Sequence, residues 1–278
     1  MLRPLVFYHA SCYDGFTAAW VAHQILGDAA EYHPVNYGAA LPFFALDPPR
    51  RLVYVLDFSW PRTEMECLAR TADLTLLDHH KTAAEALTDL PGEPHVIFDM
   101  ERSGCGLAWD YFMAGEARPL LVDYAEDRDL WRFRMEGSRE VSAWLRSFPF
   151  TWEAWDRAHN ALLQDRWSVI QEGAAILRFQ DQMVNVMCAQ RVMRVIGGHL
   201  VPVVNATVFF SEVGERLCEL SPDVPFGAYY FDRLADGKRQ WGLRSRGGFD
   251  CSAVAKQYGG GGHPGAAGFV TEIGWVLL

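Results

Sequence analysis

The first 100 residues alternate between short apolar runs and stretches with the spacing of a helix. Apolar side chains recur at helical spacing from Phe16 to Ile25, and Pro61 opens a second helix. Four runs have the length and the nearly continuous hydrophobicity of strands covered on both faces: residues 5–9, 51–56, 74–77 and 95–98. This alternation predicts an α/β fold with a parallel sheet and right-handed crossovers.

The pattern changes in the second half of the chain. From Trp167 onward the apolar positions recur at helical steps, which predicts one long amphipathic helix. Beyond Gln190, short β-like segments, one helix and a glycine-rich loop predict a smaller α/β domain. We therefore predict three parts, namely a parallel-sheet domain over residues 1–165, a connecting helix over 166–190 and a second domain over 191–278.

Composition narrows the class of protein. Half of the 278 residues are hydrophobic, which excludes a disordered chain. No apolar stretch approaches the roughly 20 residues that cross a bilayer, and the apolar run at the N-terminus is too short for the core of a signal peptide. Six widely spaced cysteines without a CxxC pair fit a reducing cytoplasm. We expect a soluble, cytoplasmic protein with no membrane partner.

The net charge of -10 bears on the partner. Proteins that bind long nucleic acids usually do so with a basic surface that releases counterions from the phosphates. Net acidity therefore argues against a long nucleic acid partner. It is compatible with carboxylates that hold divalent cations, and equally with simple solubility.

Polar residues follow three of the predicted strands. Asp78, His79 and His80 come directly after the run at 74–77, and Asp57 follows the run at 51–56. His9, with Asp14 beyond it, ends the first run. The carboxyl ends of parallel strands share one edge of a sheet, where ligands bind. An ordinary polar loop is the alternative for the His pair alone, but the convergence predicts a site for Mn²⁺, Mg²⁺, Fe²⁺ or Zn²⁺.

Two further segments offer polar groups. The acidic cluster at residues 126–129 is either a solvated turn or the source of another carboxylate ligand. The glycine run at 259–268 favours close approach of backbone amides to a phosphate, with a flexible linker as the alternative. Arg244 and Arg246, at the end of a predicted strand, are either phosphate partners or part of a surface edge.

Among ten tryptophans, three lie near the proposed site elements and are candidates for base stacking: Trp60, Trp131 and Trp241.

Taken together, the motifs resemble those of the DHH phosphoesterase superfamily with a C-terminal DHHA1 domain. That group includes RecJ-like exonucleases, nano-RNases and cyclic-dinucleotide phosphodiesterases. The resemblance spans nearly the whole chain and is carried by His9 to Gly15 (HASCYDG), Asp57, Asp78-His79-His80, residues 126–129 and residues 259–268. It implies an N-terminal parallel-sheet DHH domain that a long helix joins to a smaller α/β DHHA1 domain.

The resemblance also implies a set of site residues. It implies two metal ions, usually Mn²⁺, although a single ion, or Mg²⁺, Fe²⁺ or Zn²⁺, is also compatible. By position, the metal ligands are His9, Asp14, Asp57, His79 and Asp127, with Asp129 as the alternative to Asp127. His80 contacts the scissile phosphate, and Asp78 supports the histidines. In the second domain, the substrate-binding residues are Gly260, Gly261, Gly262 and His263.

The first motif departs from the family pattern. The family usually has two aspartates separated by one residue, whereas this chain has Asp14 alone. Depending on the alignment, Cys12 or Phe16 replaces the missing partner. Cys12 is then either a softer ligand, which favours Zn²⁺ or Fe²⁺ over Mn²⁺, or a plain packed cysteine.

The function expected from these residues is metal-dependent hydrolysis of phosphodiesters in short oligonucleotides or in cyclic or linear dinucleotides. The first alternative is hydrolysis of phosphoanhydrides such as polyphosphate or pyrophosphate. The second alternative is a non-catalytic protein that binds a nucleotide or a metal. A requirement for a nucleoside in the substrate distinguishes the two enzymes, and metal binding without turnover identifies the binding protein.

Overall fold

A computed structural model describes residues 2–47 and 49–274 of the chain, which divides into two compact units, residues 1–177 and 178–278. The division falls inside the helix that the sequence assigns as the connector. In the first unit, the strands are β1 (Leu5–His9), β2 (Glu31–Val35), β3 (Leu52–Leu56), β4 (Asp73–Asp78) and β5 (His95–Phe98). Its helices are α1 (Tyr13–Leu26), α2 (Arg62–Thr71), α3 (Lys81–Ala86), α4 (Gly104–Phe112), α5 (Leu120–Asp129) and α6 (Ser138–Leu145).

The five strands form one parallel sheet in the order β2-β1-β3-β4-β5. The predicted parallel α/β fold is confirmed, and the three strands that carry polar ends are direct neighbours. The sequence analysis missed β2, which contains Pro34 and is only partly buried. A proline removes one backbone donor and is tolerated at the edge of a sheet, which is where β2 lies.

Apolar side chains cover both faces of this sheet. One buried cluster joins strand residues such as Val6 and Leu56 to helices α1, α4, α5 and α6. A second cluster joins Leu5 and Val55 to α2. Burial on both faces explains why the strands appear in the sequence as nearly continuous apolar runs, and it leaves the carboxyl edge of the sheet as the place for polar chemistry.

A long helix, α7 (Trp152–Ala189), is interrupted at Asp165, whose backbone is extended rather than helical (φ -151°, ψ 77°). The Asp165 carboxylate accepts hydrogen bonds from the amide of Ser168 at 3.0 Å and from its hydroxyl at 2.6 Å. Asp165 therefore caps the second helical segment, which begins where the sequence predicts the connector. Among the helices of the described residues, none is both long and apolar enough to span a bilayer.

The second unit contains a six-stranded sheet in the order β10-β11-β9-β8-β7-β6. Its strands are β6 (Val192–Ile196), β7 (His199–Asn205), β8 (Phe226–Arg233), β9 (Lys238–Ser245), β10 (Gly261–His263) and β11 (Ala266–Glu272). Two helices, α8 (Phe210–Leu220) and α9 (Cys251–Gln257), complete it. The glycine run is not a loop throughout: Gly261–His263 pairs antiparallel with Ala266–Glu272, so most of the run is a hairpin. The prediction of a continuous loop was wrong because glycine obscures strand pattern.

Candidate metal centre

The site begins at the carboxyl ends of three adjacent parallel strands. His9 is the last residue of β1, Asp57 follows β3 directly, and Asp78 is the last residue of β4. Because β1, β3 and β4 are neighbours in the sheet, their ends present these side chains to one edge.

Asp57 lies at the centre of the cluster. Its Oδ1 is 3.1 Å from His79 Nε2, and its Oδ2 is 3.5 Å from His9 Nδ1. The residue has a left-handed backbone (φ 56°), a conformation that aspartate and asparagine tolerate better than most side chains. This turn directs the carboxylate across the edge of the sheet, where it is almost completely buried.

Asp14 enters the cluster from the first turn of α1 and is held by backbone amides. Its two oxygens accept hydrogen bonds from Gly104 at 2.5 Å and from Cys105 at 2.9 Å. Both amides belong to the N-terminus of α4, whose dipole favours a negative charge. A Cβ on Gly104 would lie 2.4 Å from Asp57 Cβ and 2.9 Å from Asp14 Oδ2, so only glycine fits between the two carboxylates.

His79 contacts three carboxylates. Its Nε2 is 3.1 Å from Asp57, 3.5 Å from Asp129 and 3.7 Å from Asp14. The side chain is buried. These distances place the imidazole among the carboxylates, as a shared metal site requires.

Of the two aspartates in the acidic cluster, the geometry favours Asp129. The Asp127 carboxylate accepts hydrogen bonds from the amides of Arg134 at 3.0 Å and Met135 at 3.2 Å, so it holds the loop after α5. Asp129 Oδ2 instead lies 3.5 Å from His79 Nε2. Residues two apart on a helix point in different directions, so only one of them can face the site. The geometry therefore places Asp129, and not the expected Asp127, beside His79.

Asp78 orients the two histidines that follow it. Its Oδ1 accepts hydrogen bonds from the amides of His79 at 2.7 Å and His80 at 3.2 Å. The same oxygen lies 2.7 Å from His80 Nδ1. Asp78 is completely buried, and through Oδ1 it fixes the positions of both histidines. Together with Asp57 and His80 it also forms a group of potential metal donors.

The pKa values show how negative this cluster is. Burial raises the pKa of Asp14 well above its usual value, and the neighbouring Asp57 and Asp129 raise it further. Burial would lower the pKa of His79, but Asp57, Asp129 and Asp14 raise it to about 11. The pKa of His9 is likewise raised well above normal, because Asp57 and Cys12 outweigh the effect of burial. Each of these shifts favours added positive charge, which is a proton on Asp14, His9 or His79 in the metal-free protein and would be a cation in the loaded one.

The donor set fits a divalent cation. Asp14, Asp57 and His79 each offer one donor atom within 4.8 Å of the others, and so do His9, Cys12 and Asp57. The buried His9 Nδ1 makes no well-formed hydrogen bond among the described residues. Carboxylates and imidazoles suit Mn²⁺, Mg²⁺, Fe²⁺ and Zn²⁺, so the site residues match the expected class of ion.

Cys12 and Phe16, the two residues that the sequence offers in place of the family's second aspartate, lie in different surroundings. Phe16 packs in the core, with its ring 4.8 Å from that of Trp155 and 5.0 Å from that of Trp152. Cys12 instead lies beside His9 and Asp57. Of the two alignments left open by the sequence, the geometry favours Cys12.

Glu126, the first residue of the acidic cluster, supports the site from outside. It accepts hydrogen bonds from Arg102 at 3.0 Å, Arg118 at 3.0 Å and the Ser103 amide at 3.1 Å. Ser103 is the N-cap of α4, the helix whose amides hold Asp14. Burial would raise the pKa of Glu126, but these partners lower it below its usual value.

We expect Glu126→Gln to reduce the free energy of unfolding by about 1.5–3 kcal/mol at neutral pH, the range for hydrogen bonds to charged groups. Because the folded-state pKa is lowered, the contribution is fully present above the unfolded value of about 4.3 and disappears as the pH falls through the folded value. Urea unfolding of wild type and variant from pH 7 to pH 3 measures this. Glu116→Gln, at an exposed position, is the control. A difference that does not shrink at low pH would contradict this account.

In the second unit, Arg244 and Arg246, which the sequence predicts as phosphate partners, contact other residues of the protein. Arg246 pairs with Glu215 at 2.9 Å and Glu219 at 3.0 Å. Arg244 donates to Ser211 Oγ at 3.0 Å, and its stem packs where a Cβ on Gly214 would lie. These contacts give both arginines structural roles in the packing of α8 on β9. Gly260, Gly261, Gly262 and His263 lie at the hairpin, and their assignment to substrate stays a prediction.

The three tryptophans predicted as candidates for base stacking lie in different environments. Trp60 is buried and donates to the carbonyl of Ala39, and Trp241 is buried and donates to Thr271. Both are core residues, so their prediction as base-stacking groups was wrong. Trp131 is only partly buried and lies two residues beyond Asp129.

Sequence analysis missed the backbone amides of Gly104 and Cys105. The available signal is Ser103 followed by glycines at 104 and 106, which is typical of a helix start that approaches other groups closely. It also missed Tyr37, whose ring lies 5.1 Å from that of His9 and 5.8 Å from that of His80. No sequence pattern marks Tyr37.

No protein-family model matches this chain. It is 27% identical over 282 residues to an uncharacterized protein of Acanthamoeba polyphaga mimivirus, a match that covers 95% of this chain and 66% of the viral protein. The chain thus spans just under two thirds of that protein.

Solved structures share the fold. RecJ of Thermus thermophilus, in complex with Mn²⁺, matches with a TM-score of 0.54 at 15% identity, over 98% of this chain and half of RecJ. The DHH domain of a protein assigned to a ribosomal-protein family matches with a TM-score of 0.54 at 12% identity, over 97% of this chain and 83% of that one. The pGpG-specific phosphodiesterase PggH of Vibrio cholerae matches with a TM-score of 0.50 at 14% identity, over 97% and 93%. The chain therefore has the fold of DHH proteins, which confirms the fold that the resemblance implies.

Proposed function

We propose that this chain is a metal-dependent phosphodiesterase that acts on short oligonucleotides or dinucleotides. The observation that carries the proposal is the convergence of Asp14, Asp57, His79 and Asp129 at the carboxyl edge of the parallel sheet. A buried group of carboxylates around an imidazole, in a DHH fold, is suited to hold cations against a phosphodiester.

Three groups of potential metal donors share Asp57. One contains Asp14 and His79, the second contains His9 and Cys12, and the third contains Asp78 and His80. Because Asp57 is common to these groups, it would hold a cation together with the residues of any of them. We assign Asp129 to the first group because it lies beside His79. When bound, divalent cations neutralise the phosphodiester and lower the pKa of water.

The chain's own residues then position the substrate. Asp78 holds the His80 ring through Nδ1, which fixes its orientation at the mouth of the cluster. We assign Nε2, the other ring nitrogen, to a non-bridging oxygen of the scissile phosphate, where a hydrogen bond stabilises the charge that develops in the transition state.

Short substrates are favoured by two observations. The net charge of -10 disfavours contact with a long polyanion. PggH, which shares the fold over nearly its whole length, is described as a pGpG-specific phosphodiesterase. A dinucleotide is therefore the substrate class with which to begin.

The test is hydrolysis of 5′-phosphorylated diadenylate by the full chain loaded with Mn²⁺ or Zn²⁺, with polyphosphate assayed in parallel and products separated by chromatography. We expect AMP only when metal is present. The EDTA-treated protein is one control, and Asp57→Asn is the other because it exposes a contaminating nuclease. Phosphate from polyphosphate alone would replace the diesterase by a phosphoanhydride hydrolase. Metal binding without turnover of either substrate would indicate a binding protein.

Trp131 is a candidate contact for a base. It has a left-handed backbone (φ 55°), its ring packs edge-on against Phe133 at 4.8 Å, and the Arg128 guanidinium lies over it at 4.7 Å. Phe133 is also left-handed (φ 48°). Two bulky residues in this conformation store backbone strain, which is common where a loop serves a site.

We expect Trp131→Ala to raise KM for diadenylate about tenfold with little change in kcat, because base stacking on an aromatic side chain contributes about 1–3 kcal/mol. Steady-state kinetics measures this. Trp167→Ala removes an exposed tryptophan from α7 and is the matched control. An unchanged KM, or a fall in kcat alone, would rule out this contact.

A further inference from the structure

Cys12 lies immediately before α1 and three residues after His9, the last residue of β1. It is the N-cap residue with an extended backbone (φ -122°, ψ 137°), and its side chain makes no capping hydrogen bond. The preceding Ser11 is left-handed (φ 55°). The thiol thus gives no support to the helix that it precedes, and the turn directs it toward His9 and Asp57.

The four buried cysteines have different surroundings from the partly exposed Cys12. Each has its sulfur against a backbone carbonyl: Cys105 against Val122 at 3.8 Å, Cys188 against Val213 at 3.6 Å, Cys218 against Arg244 at 3.2 Å and Cys251 against Leu243 at 3.8 Å. These are packed thiols with weak hydrogen bonds. Cys12 is the cysteine that joins a group of potential metal donors among the described residues.

The donor atoms around Cys12 are close enough to share an ion. Cys12 Sγ, a nitrogen of His9 and an oxygen of Asp57 all lie within 4.8 Å of one another. A thiolate carries the same charge as the carboxylate that the resemblance implies here, so the total charge of the donor set is conserved. The replacement of a carboxylate oxygen by sulfur makes the donor atom softer, and sulfur prefers Zn²⁺ and Fe²⁺ over harder ions such as Mn²⁺.

We propose that the Cys12 thiolate is a metal ligand together with His9 and Asp57, and that it shifts this position of the centre from Mn²⁺ toward Zn²⁺. The inference rests on the metal centre of the proposed function and specifies its ion. It assigns a mixed centre, with a sulfur-containing group on one side of Asp57 and an oxygen-rich group of Asp14, His79 and Asp129 on the other.

The experiment compares the full-length wild type with Cys12→Asp, Cys12→Ser and Cys67→Ser. Cys67 lies exposed on α2 and provides the matched control for loss of a thiol. Each metal-free protein is titrated with Co²⁺, which replaces Zn²⁺ and gives a near-ultraviolet charge-transfer band only when bound to a thiolate. We expect the band in wild type and Cys67→Ser, and its loss in both Cys12 variants.

Competition between Zn²⁺ and Mn²⁺ gives a second measurement. We expect the preference for Zn²⁺ over Mn²⁺ to fall at least tenfold in Cys12→Asp, since even the loss of a group behind a ligand changes metal affinity by about 10–100-fold. Cys12→Asp restores the family's carboxylate, so it should still bind metal. Thermal unfolding of the metal-free variants confirms that they fold.

The outcomes are distinguishable. Absence of the band in Co²⁺-loaded wild type, its persistence in Cys12→Ser, or an unchanged Zn²⁺ to Mn²⁺ preference in Cys12→Asp would overturn the assignment. Diadenylate hydrolysis without the band would remove Cys12 from the centre and leave the proposed function intact. The band without hydrolysis of diadenylate would support Cys12 as a metal ligand and contradict the proposed enzymatic activity.

Discussion

We expect Asp57→Asn to reduce kcat/KM for diadenylate by roughly 10³-fold, because a cation contributes several kcal/mol to transition-state stabilisation and Asp57 belongs to three groups of potential metal donors. The variant loses the charge on the atom that lies 3.1 Å from His79. Asparagine tolerates the left-handed backbone at this position (φ 56°) about as well as aspartate does. The loss therefore reports on the metal centre rather than on a broken turn.

Metal content and activity are measured together for this variant. We expect bound Mn²⁺ or Zn²⁺, quantified by elemental analysis after dialysis, to fall in parallel with kcat/KM. Asp99→Asn is the matched control: Asp99 follows β5, is exposed, and accepts a hydrogen bond from the Glu101 amide at 2.9 Å that asparagine can also accept. An Asp57→Asn protein with normal metal and normal turnover would remove Asp57 from the centre.

The central strands β1, β3 and β4 could be predicted closely because most of their residues are buried. The runs at 5–9 and 95–98 coincide with β1 and β5. The run at 51–56 begins one residue before β3, and the run at 74–77 is one residue shorter than β4 at each end. Continuous burial leaves few polar residues inside a strand, so the first polar residue marks its end. For this reason the sequence alone predicts that Asp57, His79 and His80 lie at the edge of the sheet.

Features that depend on packing could not be predicted in this way. The sequence places Asp127 and Asp129 in one acidic cluster, but which of them faces His79 depends on how α5 packs through Leu121 and Val122. Likewise, β2 has a partly polar pattern interrupted by Pro34, and only its pairing with β1 makes it a strand. Both depend on tertiary contacts, which local patterns do not record.

The environment of some tryptophans could not be predicted either, because their positions in the sequence fit both the core and a ligand contact. Trp60 and Trp241 follow or precede polar segments and therefore suggest contact with a ligand. Each is buried with its indole N–H satisfied inside the core, by the Ala39 carbonyl at 3.0 Å and by Thr271 at 3.1 Å. A tryptophan that can satisfy its single donor internally has no need of the surface. Spacing along the chain contains no information about such a partner.

The last prediction separates binding of metal from action on substrate. We expect His80→Ala to lower kcat by about 10²–10³-fold, the effect of removing one transition-state hydrogen bond, while metal content stays normal. The reason is that Asp78 holds the His80 ring at 2.7 Å, whereas the carboxylates of Asp57 and Asp129 surround His79. His79→Ala should therefore lose both metal and activity.

Elemental analysis and single-turnover hydrolysis of diadenylate distinguish the two histidines. If His80→Ala lost metal to the same extent as His79→Ala, His80 would be a ligand, and its assignment to the phosphate would be wrong. If His80→Ala kept full turnover, the group that stabilises the phosphate would have to lie elsewhere. The adjacent pair is informative because His79 is buried among carboxylates, whereas the next residue, His80, is partly exposed and contacts Asp78.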